Sequence, residues 1–369
     1  MLENSLSQAG MPKPNIRREM PSVQLTREQF SQRMQQQFND PAFDSIRTEV
    51  ERIIEAAWQG YSNYRKSPHT QPAGPGYADP DYQLSVEWTE ASRRVKEAER
   101  RQKDSASPPR ILLINGAARS EHTCPGETSK TWRLAMLARE VFDREQALET
   151  ELLDLSRLTS EYGRRIFPCK TCVSTAMPLC HWPCSCYPNH ALGQVQDWMN
   201  DIYPMWAAAH GIMIVSPVNW YHPSSVLKLM IDRLVCADGG NPDPTSTQGK
   251  QPELAKKLEL DGWHYPRHLA GRVFSVVAHG DATGVRAVKT GLASWLTDIG
   301  LIEAGHSSQL GAYIGYMQPY ATSHDALDSD ISVQEETRNA ARSLVEAVKQ
   351  LRRGEIKQPD ESLRDPRPK

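Results

Sequence analysis

At 369 residues the chain is long for one five-stranded α/β domain and short for two large ones, so a single core domain with an appendage is expected. Its 43 Lys and Arg nearly balance 45 Asp and Glu for a formal charge of −2, which removes the electrostatic footprint of a nucleic-acid binder. Residues 1–15 lack the apolar core of a signal peptide, and no window reaches ~18 consecutive apolar residues, so a cytoplasmic protein with no membrane partner is expected.

The first 108 residues read as a helical extension and linker. Thr26 with Gln29 spells a capping box, and Asp40 before Pro41 spells an N-cap with proline at the first helical position, so helices are expected to begin at both. In the second helix Ile46, Val50, Ile53, Ile54, Ala57, Trp58 and Tyr61 share one face, which must pack on something. Residues 67–81 are too rich in Pro and Gly for regular structure, and a charged helix is expected over 84–103. With so few apolar positions the extension is expected to lie over the next domain or across a partner subunit; a lid over the active site is the alternative.

From Arg110 the pattern turns to alternating strands and helices, as a doubly wound parallel sheet requires. Strands are expected at 110–115 (RILLIN), 151–155 (ELLDL), 211–215 (GIMIV) and 272–278 (RVFSVVA), with a weaker fifth over 303–312. Helices are expected over 130–144, 194–208, 224–236, 285–299 and 339–352. This core domain spans 109–352; it carries a cysteine-rich insert at 167–189 and an irregular insertion over 236–266, and a charged tail follows at 353–369.

Three loops leave carboxyl ends of these strands, the edge at which open α/β sheets bind ligands. The first runs from Asn115 through Gly116 and Arg119 to Thr128-Ser129-Lys130-Thr131, where a helix begins. Amides at a helix N-terminus, joined by hydroxyls and a cation, form an anion site; the alternative is that the hydroxyls only cap the helix. The spacing excludes a P-loop, because Ser129 rather than Gly precedes Lys130, and a dinucleotide fingerprint, because only Gly116 is present. The second loop, SPVNWYHPSS from Ser216, offers rigid backbone at Pro217 and Pro223 and planar rings at Trp220 and Tyr221, which suits a flat heteroaromatic ligand. The third, His279-Gly280-Asp281 to Gly284, shares the same rim.

Ser216-Pro217, an aromatic loop, Leu227-Lys228 and Asp232-Arg233 together resemble the SP-x-Y … LK … DR signature of the flavodoxin-like NAD(P)H-dependent FMN reductases. The resemblance covers residues 110–315 and implies a flavodoxin-like, doubly wound, five-stranded parallel sheet, FMN as cofactor, NAD(P)H as co-substrate and a homo-oligomer. The family's first loop reads GS-x-R … (N)T, so Arg119, Ser120, Ser129 and Thr131 carry over as FMN-phosphate contacts; Ala117 and a longer loop holding Cys124-Pro-Gly depart from that pattern. Pro217, Val218, Asn219 and Trp220 are expected to hold the flavin ring, together with His279, Gly280 and Asp281 of a loop similar to the family's glycine-rich one. Trp220, Tyr221 and His222 are expected to shape the face that NAD(P)H and the acceptor visit in turn.

Five of the seven cysteines lie between Cys169 and Cys186, in a stretch that Pro168, Pro178, Pro183 and Pro188 are expected to keep a compact, non-helical coil. In a reducing compartment that crowding favours metal or redox chemistry over structural disulfides. Cys169 and Cys172 form a C-x-x-C pair, and Cys180 with Cys184, or Cys186 in its place, completes four ligands for a [4Fe-4S] cluster or zinc, with His181 as a further zinc candidate. Free or redox-switching thiols are the third reading. The placement resembles the cysteine motif of the iron-sulfur flavoproteins, whose spacing is tighter.

No metalloprotease helix, nucleophile elbow or paired carboxylate marks a hydrolase. The resemblance implies an FMN-dependent oxidoreductase that takes hydride from NAD(P)H and reduces a quinone, nitroaromatic, azo compound, metal ion or flavin. The alternative is an iron-sulfur flavoprotein electron carrier or redox-sensing module acting on a protein partner.

Overall fold

The structure, a computed structural model, describes residues 20–172 and 177–357; the start of the chain and the end of the charged tail lie outside the described residues. Helix α1 (Arg27–Gln35) opens with the expected capping box: Thr26 Oγ1 accepts from Gln29 N and Gln29 Oε1 accepts from Thr26 N. Asp40 caps a 3-10 turn, Pro41–Ile46, that runs into α2 (Arg47–Ser62). The apolar stripe of α2 meets α1 of the same chain, with Phe30 4.8 Å from Tyr61 and 5.5 Å from Trp58 between ring centroids.

One expectation for the extension is corrected. Strands β1 (Thr70–Pro72) and β2 (Gln83–Ser85) pair antiparallel inside and beside the stretch read as irregular. A two-stranded ribbon is all edge, so Pro72 need not donate to a ladder. Helix α3 (Val86–Lys103) follows, with the Ser85 hydroxyl accepting from Trp88 N.

The core domain continues with β3 (Arg110–Asn115), α4 (Lys130–Phe142), β4 (Glu149–Asp154), the short α5 (Arg157–Ser160), α6 (Met199–Ala208), β5 (Gly211–Pro217) and α7 (Ser225–Arg233). Then come α8 (Pro252–Leu260), β6 (Val273–Gly280), α9 (Val285–Asp298), β7 (Ile302–Glu303), β8 (Gln309–Tyr313), the short α10 (Tyr320–Ser323) and α11 (Asp325–Ser329), and α12 (Ile331–Arg352). The insertion over 236–266 is therefore not wholly irregular: Pro252 sits in the first turn of α8 and Ala255 is fully buried.

The sheet is parallel throughout, in the order β4-β3-β5-β6-β7, with β8 also pairing β6. The expected fifth strand is split in two. Residues between β7 and β8 turn out of the ladder, and Ser308 bridges the gap: its carbonyl accepts from Ser275 Oγ and from Val276 N, while its hydroxyl bonds Gly305 O.

Period-two alternation divides the buried strand residues between two faces. Leu112, Ile114, Ile212, Ile214, Phe274 and Val276 face α6, α7, α9 and the cysteine-rich insert; Ile111, Leu113, Met213, Val215 and Val277 face α4 and α12. Full burial of each such side chain contributes about 1.5–3 kcal/mol. Helix α3 lies on α6, where Arg94 and Asp201 pair at 2.8 Å. Beyond it the extension grips the insert: Trp88 Nε1 donates to Pro183 O, Trp182 Nε1 to Glu99, and Lys66 Nζ to Ser185 O. No helix among the described residues is long and apolar enough to cross a membrane.

Candidate functional site

Because the strands are parallel, the loops after β3, β5 and β6 emerge on one rim, and specific bonds knit them together. The Ser224 hydroxyl, which caps α7, donates to Gly116 O, and Gly116 N donates to Val215 O. A side chain at Gly116 would have its Cβ 2.9 Å from Leu227 Cδ2 and from Val215 O, so only glycine lets the first loop leave so close to β5. Val218 N donates to His279 O at 2.8 Å, and a Cβ on Gly280 would lie 3.3 Å from Val218 Cβ. Thr131 Oγ1 and His279 Nε2 are 2.8 Å apart. Ser129, Trp220 and Gly280 therefore belong to one connected rim.

At the first loop, Ser129 caps α4 by accepting from Trp132 N at 3.1 Å. The amides of the first turn of a helix point outward without intrahelical partners. Arg119 lies beside them, its guanidinium 3.2 Å from Pro125 O and over the Tyr320 ring, with a buried Nε that has no hydrogen-bond partner. Ser120 is part of a tight turn closed with Thr123. These residues border a cleft of ≈ 430 Å³ that also includes His122, Asp154 and Ser156. An orphaned guanidinium nitrogen, helix-start amides and hydroxyls together fit an anionic group such as a phosphate. A second cleft of ≈ 470 Å³ continues over the outer edge of β4 between α3 and α6, with Asp154 and Arg157 bordering both.

The other predicted residues divide between rim and floor. Thr131 is 1% exposed and its hydroxyl is engaged with His279 rather than turned to the first loop. Lys130 Nζ bonds Ile314 O at 2.9 Å and Ser323 Oγ at 2.5 Å, with Asp281 at 3.7 Å; burial lowers its pKa. His279 ends β6 as part of the strand, 5% exposed, with an unpartnered Nδ1. Burial, reinforced by Lys130 and His324, pushes its pKa down to about 3, so the ring is neutral at working pH.

Asn219 and His222 exchange backbone bonds across a two-residue turn whose central residues, Trp220 and Tyr221, have φ of 48° and 67°. That is a hairpin turn built without glycine, and it drives Trp220 outward to 93% exposure. Pro217 and Val218 stay half-buried at the end of β5. Asp281 is exposed, and its carbonyl accepts from Met317 N at 2.8 Å.

That last bond belongs to a fourth loop that sequence reasoning missed. After β8, residues 313–320 bring Tyr313, Tyr316, Met317 and Tyr320 to the rim with exposures of 47–76%. Tyr313 and Tyr316 pack edge to face. The usable signal was five large apolar or aromatic side chains in eight residues at a strand's carboxyl end.

The cysteine expectation is corrected in its geometry. Among the described residues no group of three or more His, Cys, Asp and Glu is arranged to hold a metal ion. Cys169 Sγ accepts from Thr171 N, Cys184 Sγ accepts from Cys186 N, and Cys180 and Cys184 are buried. Cys172 Sγ lies 3.9 Å from Cys186 Sγ and 3.4 Å from Lys250 Nζ. The hydrogen bond from Cys186, helped by Lys250 against the opposing effect of burial, brings the Cys172 thiol down to about 6. His181 is satisfied by the hydroxyls of Ser185 and Thr247.

The parallel sheet order, with its loops gathered on one rim, defines a flavodoxin-like α/β protein. The chain belongs to the NADPH-dependent FMN reductase family, whose profile it matches over residues 109–308, more than half of its length. It is an NAD(P)H-dependent FMN oxidoreductase. Among solved structures it is similar to RosB with the bound intermediate 8-demethyl-8-formylriboflavin-5'-phosphate, at 14% identity and a TM-score of 0.43 over 67% of this chain and 82% of that one. It is also similar to an azoreductase from Bacillus anthracis str. Sterne (10% identity, TM-score 0.36, 63% of this chain and 98% of that one). The apo form of an NADH:FMN oxidoreductase, EmoB, aligns at 14% identity with a TM-score of 0.35 over 69% of this chain and 93% of that one. A search of curated proteins gives no match.

Proposed function

We propose that the chain passes hydride from NAD(P)H, by way of FMN, to a small planar acceptor such as a quinone, nitroaromatic or azo compound. The observation that carries this reading is the concentration of exposed rings on one rim: Trp220, Tyr221, Tyr313, Tyr316 and Tyr320 are 47–93% exposed on loops that hydrogen bonds hold together. Exposed flat aromatic faces gathered on one rim suit a flat aromatic guest and offer little to a hydrated metal ion.

In this reading Arg119, Ser120, Ser129 and the first amides of α4 hold the FMN phosphate. Pro217, Val218, Asn219, Gly280 and Asp281 line the ring, and Trp220, Tyr221 and His222 border the face used by both substrates. Bound FMN supplies hydride acceptance and donation in turn. The chain's own residues bind and orient; neutral His279 and Thr131 form the buried floor and take no proton.

Steady-state oxidation of NADPH with excess FMN and a benzoquinone tests the reading. Turnover is expected to depend on the quinone, and Tyr316→Ala is expected to raise its KM severalfold while leaving ferricyanide reduction unchanged. Absence of acceptor-dependent turnover overturns it.

A further inference from the structure

The cysteine-rich insert has no part in the rim, yet it brings two thiols into contact beside a cation. We propose that Cys172 and Cys186 form a peroxide-reactive dithiol, in which Cys172 is the attacking thiol, Cys186 resolves it, and Lys250 stabilises the reactive thiolate.

Three features of the site carry this assignment. First, the two sulfurs are already 3.9 Å apart across a 14-residue separation in sequence. Second, the pair is asymmetric in burial: Cys172 is half-buried and Cys186 is buried, so Cys172 is the one of the two nearer to solvent. Third, Lys250 Nζ is held in place, 2.5 Å from Leu179 O and 3.4 Å from Cys172 Sγ, and a fixed ammonium at that distance favours a thiolate. The competing pairs lack one of these features. Cys184 and Cys186 are two residues apart and both buried, and Cys180 and Cys236 are both buried.

The chemistry balances with a hydroperoxide as oxidant. Cys172 sulfur attacks the peroxide oxygen, the O–O bond breaks, and an alcohol, or water from hydrogen peroxide, leaves with the proton. Cys172 is now a sulfenic acid. Cys186 sulfur displaces its hydroxyl as water and the S–S bond forms, so one peroxide is reduced as two thiols are oxidised. An external dithiol returns two hydrogens and restores the pair.

The full-length protein, reduced and desalted, is treated with a stoichiometric amount of hydrogen peroxide, and its thiols are mapped by differential alkylation and non-reducing peptide mass spectrometry. The expected product is a Cys172–Cys186 cross-linked peptide, lighter by two hydrogens, which forms at least about tenfold faster than the exposed Cys124 is oxidised and is reversed by dithiothreitol. Cys186→Ser is expected to leave a Cys172 sulfenic acid that dimedone traps, and Lys250→Met to slow the loss of the Cys172 thiol by about tenfold. The proposal is overturned if Cys172 and Cys124 oxidise at the same rate or the cross-link joins another pair. It is equally overturned if Cys172 proceeds to the sulfinic acid with Cys186 still reduced, if Lys250→Met leaves the rate unchanged, or if bound zinc or iron protects these thiols in the purified protein. No arm of the experiment reads flavin turnover, so its failure is distinct from failure of the proposed reductase reaction.

Discussion

Thr131 Oγ1 and His279 Nε2, 2.8 Å apart, join the first turn of α4 to the last residues of β6 in the buried floor of the rim. Since His279 Nδ1 has no partner, this bond is the ring's one hydrogen bond among the described residues. Thr131→Val keeps the shape and removes the hydroxyl, leaving both ring nitrogens unsatisfied at a cost of about 1–3 kcal/mol. Urea unfolding of Thr131→Val beside Thr131→Ser checks this; the serine variant is expected to keep most of the stability.

Buried histidines, His210 and His279 among them, make the fold sensitive to mild acid. Burial lowers His210 to about 4, and its Nδ1 already accepts the Arg110 N–H, so a second proton has no acceptor to meet. His279 is lowered to about 3 by burial. In the unfolded chain both titrate near ~6.5, so below that pH the unfolded state binds protons that the folded state refuses. Stability is therefore fully present above about pH 6.5 and falls towards pH 4, by at most ~1.4 kcal/mol per pH unit for each ring. Urea midpoints at pH 7.5 and 5.5 measure it, and a midpoint that holds or rises in acid contradicts the assignment.

Arg119 with its orphaned Nε is expected to be worth more to a phosphorylated flavin than to an unphosphorylated one. A charge-assisted hydrogen bond contributes about 1.5–3 kcal/mol, so Arg119→Met should weaken FMN by roughly ten- to a hundredfold and riboflavin hardly at all. Fluorescence titration with both flavins decides it. Equal losses would remove Arg119 from the phosphate site.

The turn at Trp220 and Tyr221 holds two side-chain-bearing residues at φ of 48° and 67°. Left-handed backbone costs an L-residue about 1–2 kcal/mol, and such strain persists where it serves a site. Tyr221→Gly is expected to raise Tm by a few degrees while raising the KM for a quinone. A variant with lower Tm and unchanged KM would make the turn an ordinary surface loop.

Arg233 and Asp197 pair at 2.5 Å with 1% exposure each, and Arg233 also stacks over Tyr187. Asp197→Ala strands a buried guanidinium and should cost about 3–5 kcal/mol, whereas replacing both partners by Leu and Met should recover much of that. Comparing both variants by urea denaturation separates the worth of the pair from the cost of breaking it.

What was legible in the sequence was whatever depends on local pattern. The GIMIV and RVFSVVA runs are buried on both faces and became β5 and β6; Thr26 and Gln29 cap α1 as their spacing requires. The convergence of the first three loops followed from parallel topology alone. What depended on which distant residue arrives was not legible. The C-x-x-C spacing pointed from Cys172 only to Cys169, and gave no sign of Cys186 and Lys250, which folding brings to 3.9 Å and 3.4 Å from the Cys172 sulfur. Arg233 finds Asp197 rather than the adjacent Asp232, which pairs with Lys228. The rim residues after β8 carry no motif; the bonds of Lys130 to Ile314 O, of Ile314 N to Gly280 O and of Met317 N to Asp281 O draw them in.

The reciprocal indole bonds, Trp88 to the carbonyl of Pro183 and Trp182 to Glu99, stitch two segments that lie far apart in the chain. Each is the other's solvent shield, so neither can be inherited, transplanted or trimmed alone. A shortened version beginning at the flavin-binding half would leave the Trp182 nitrogen, the Pro183 carbonyl and a patch of bare insert facing water. Lineages that acquired one segment are expected to have acquired both.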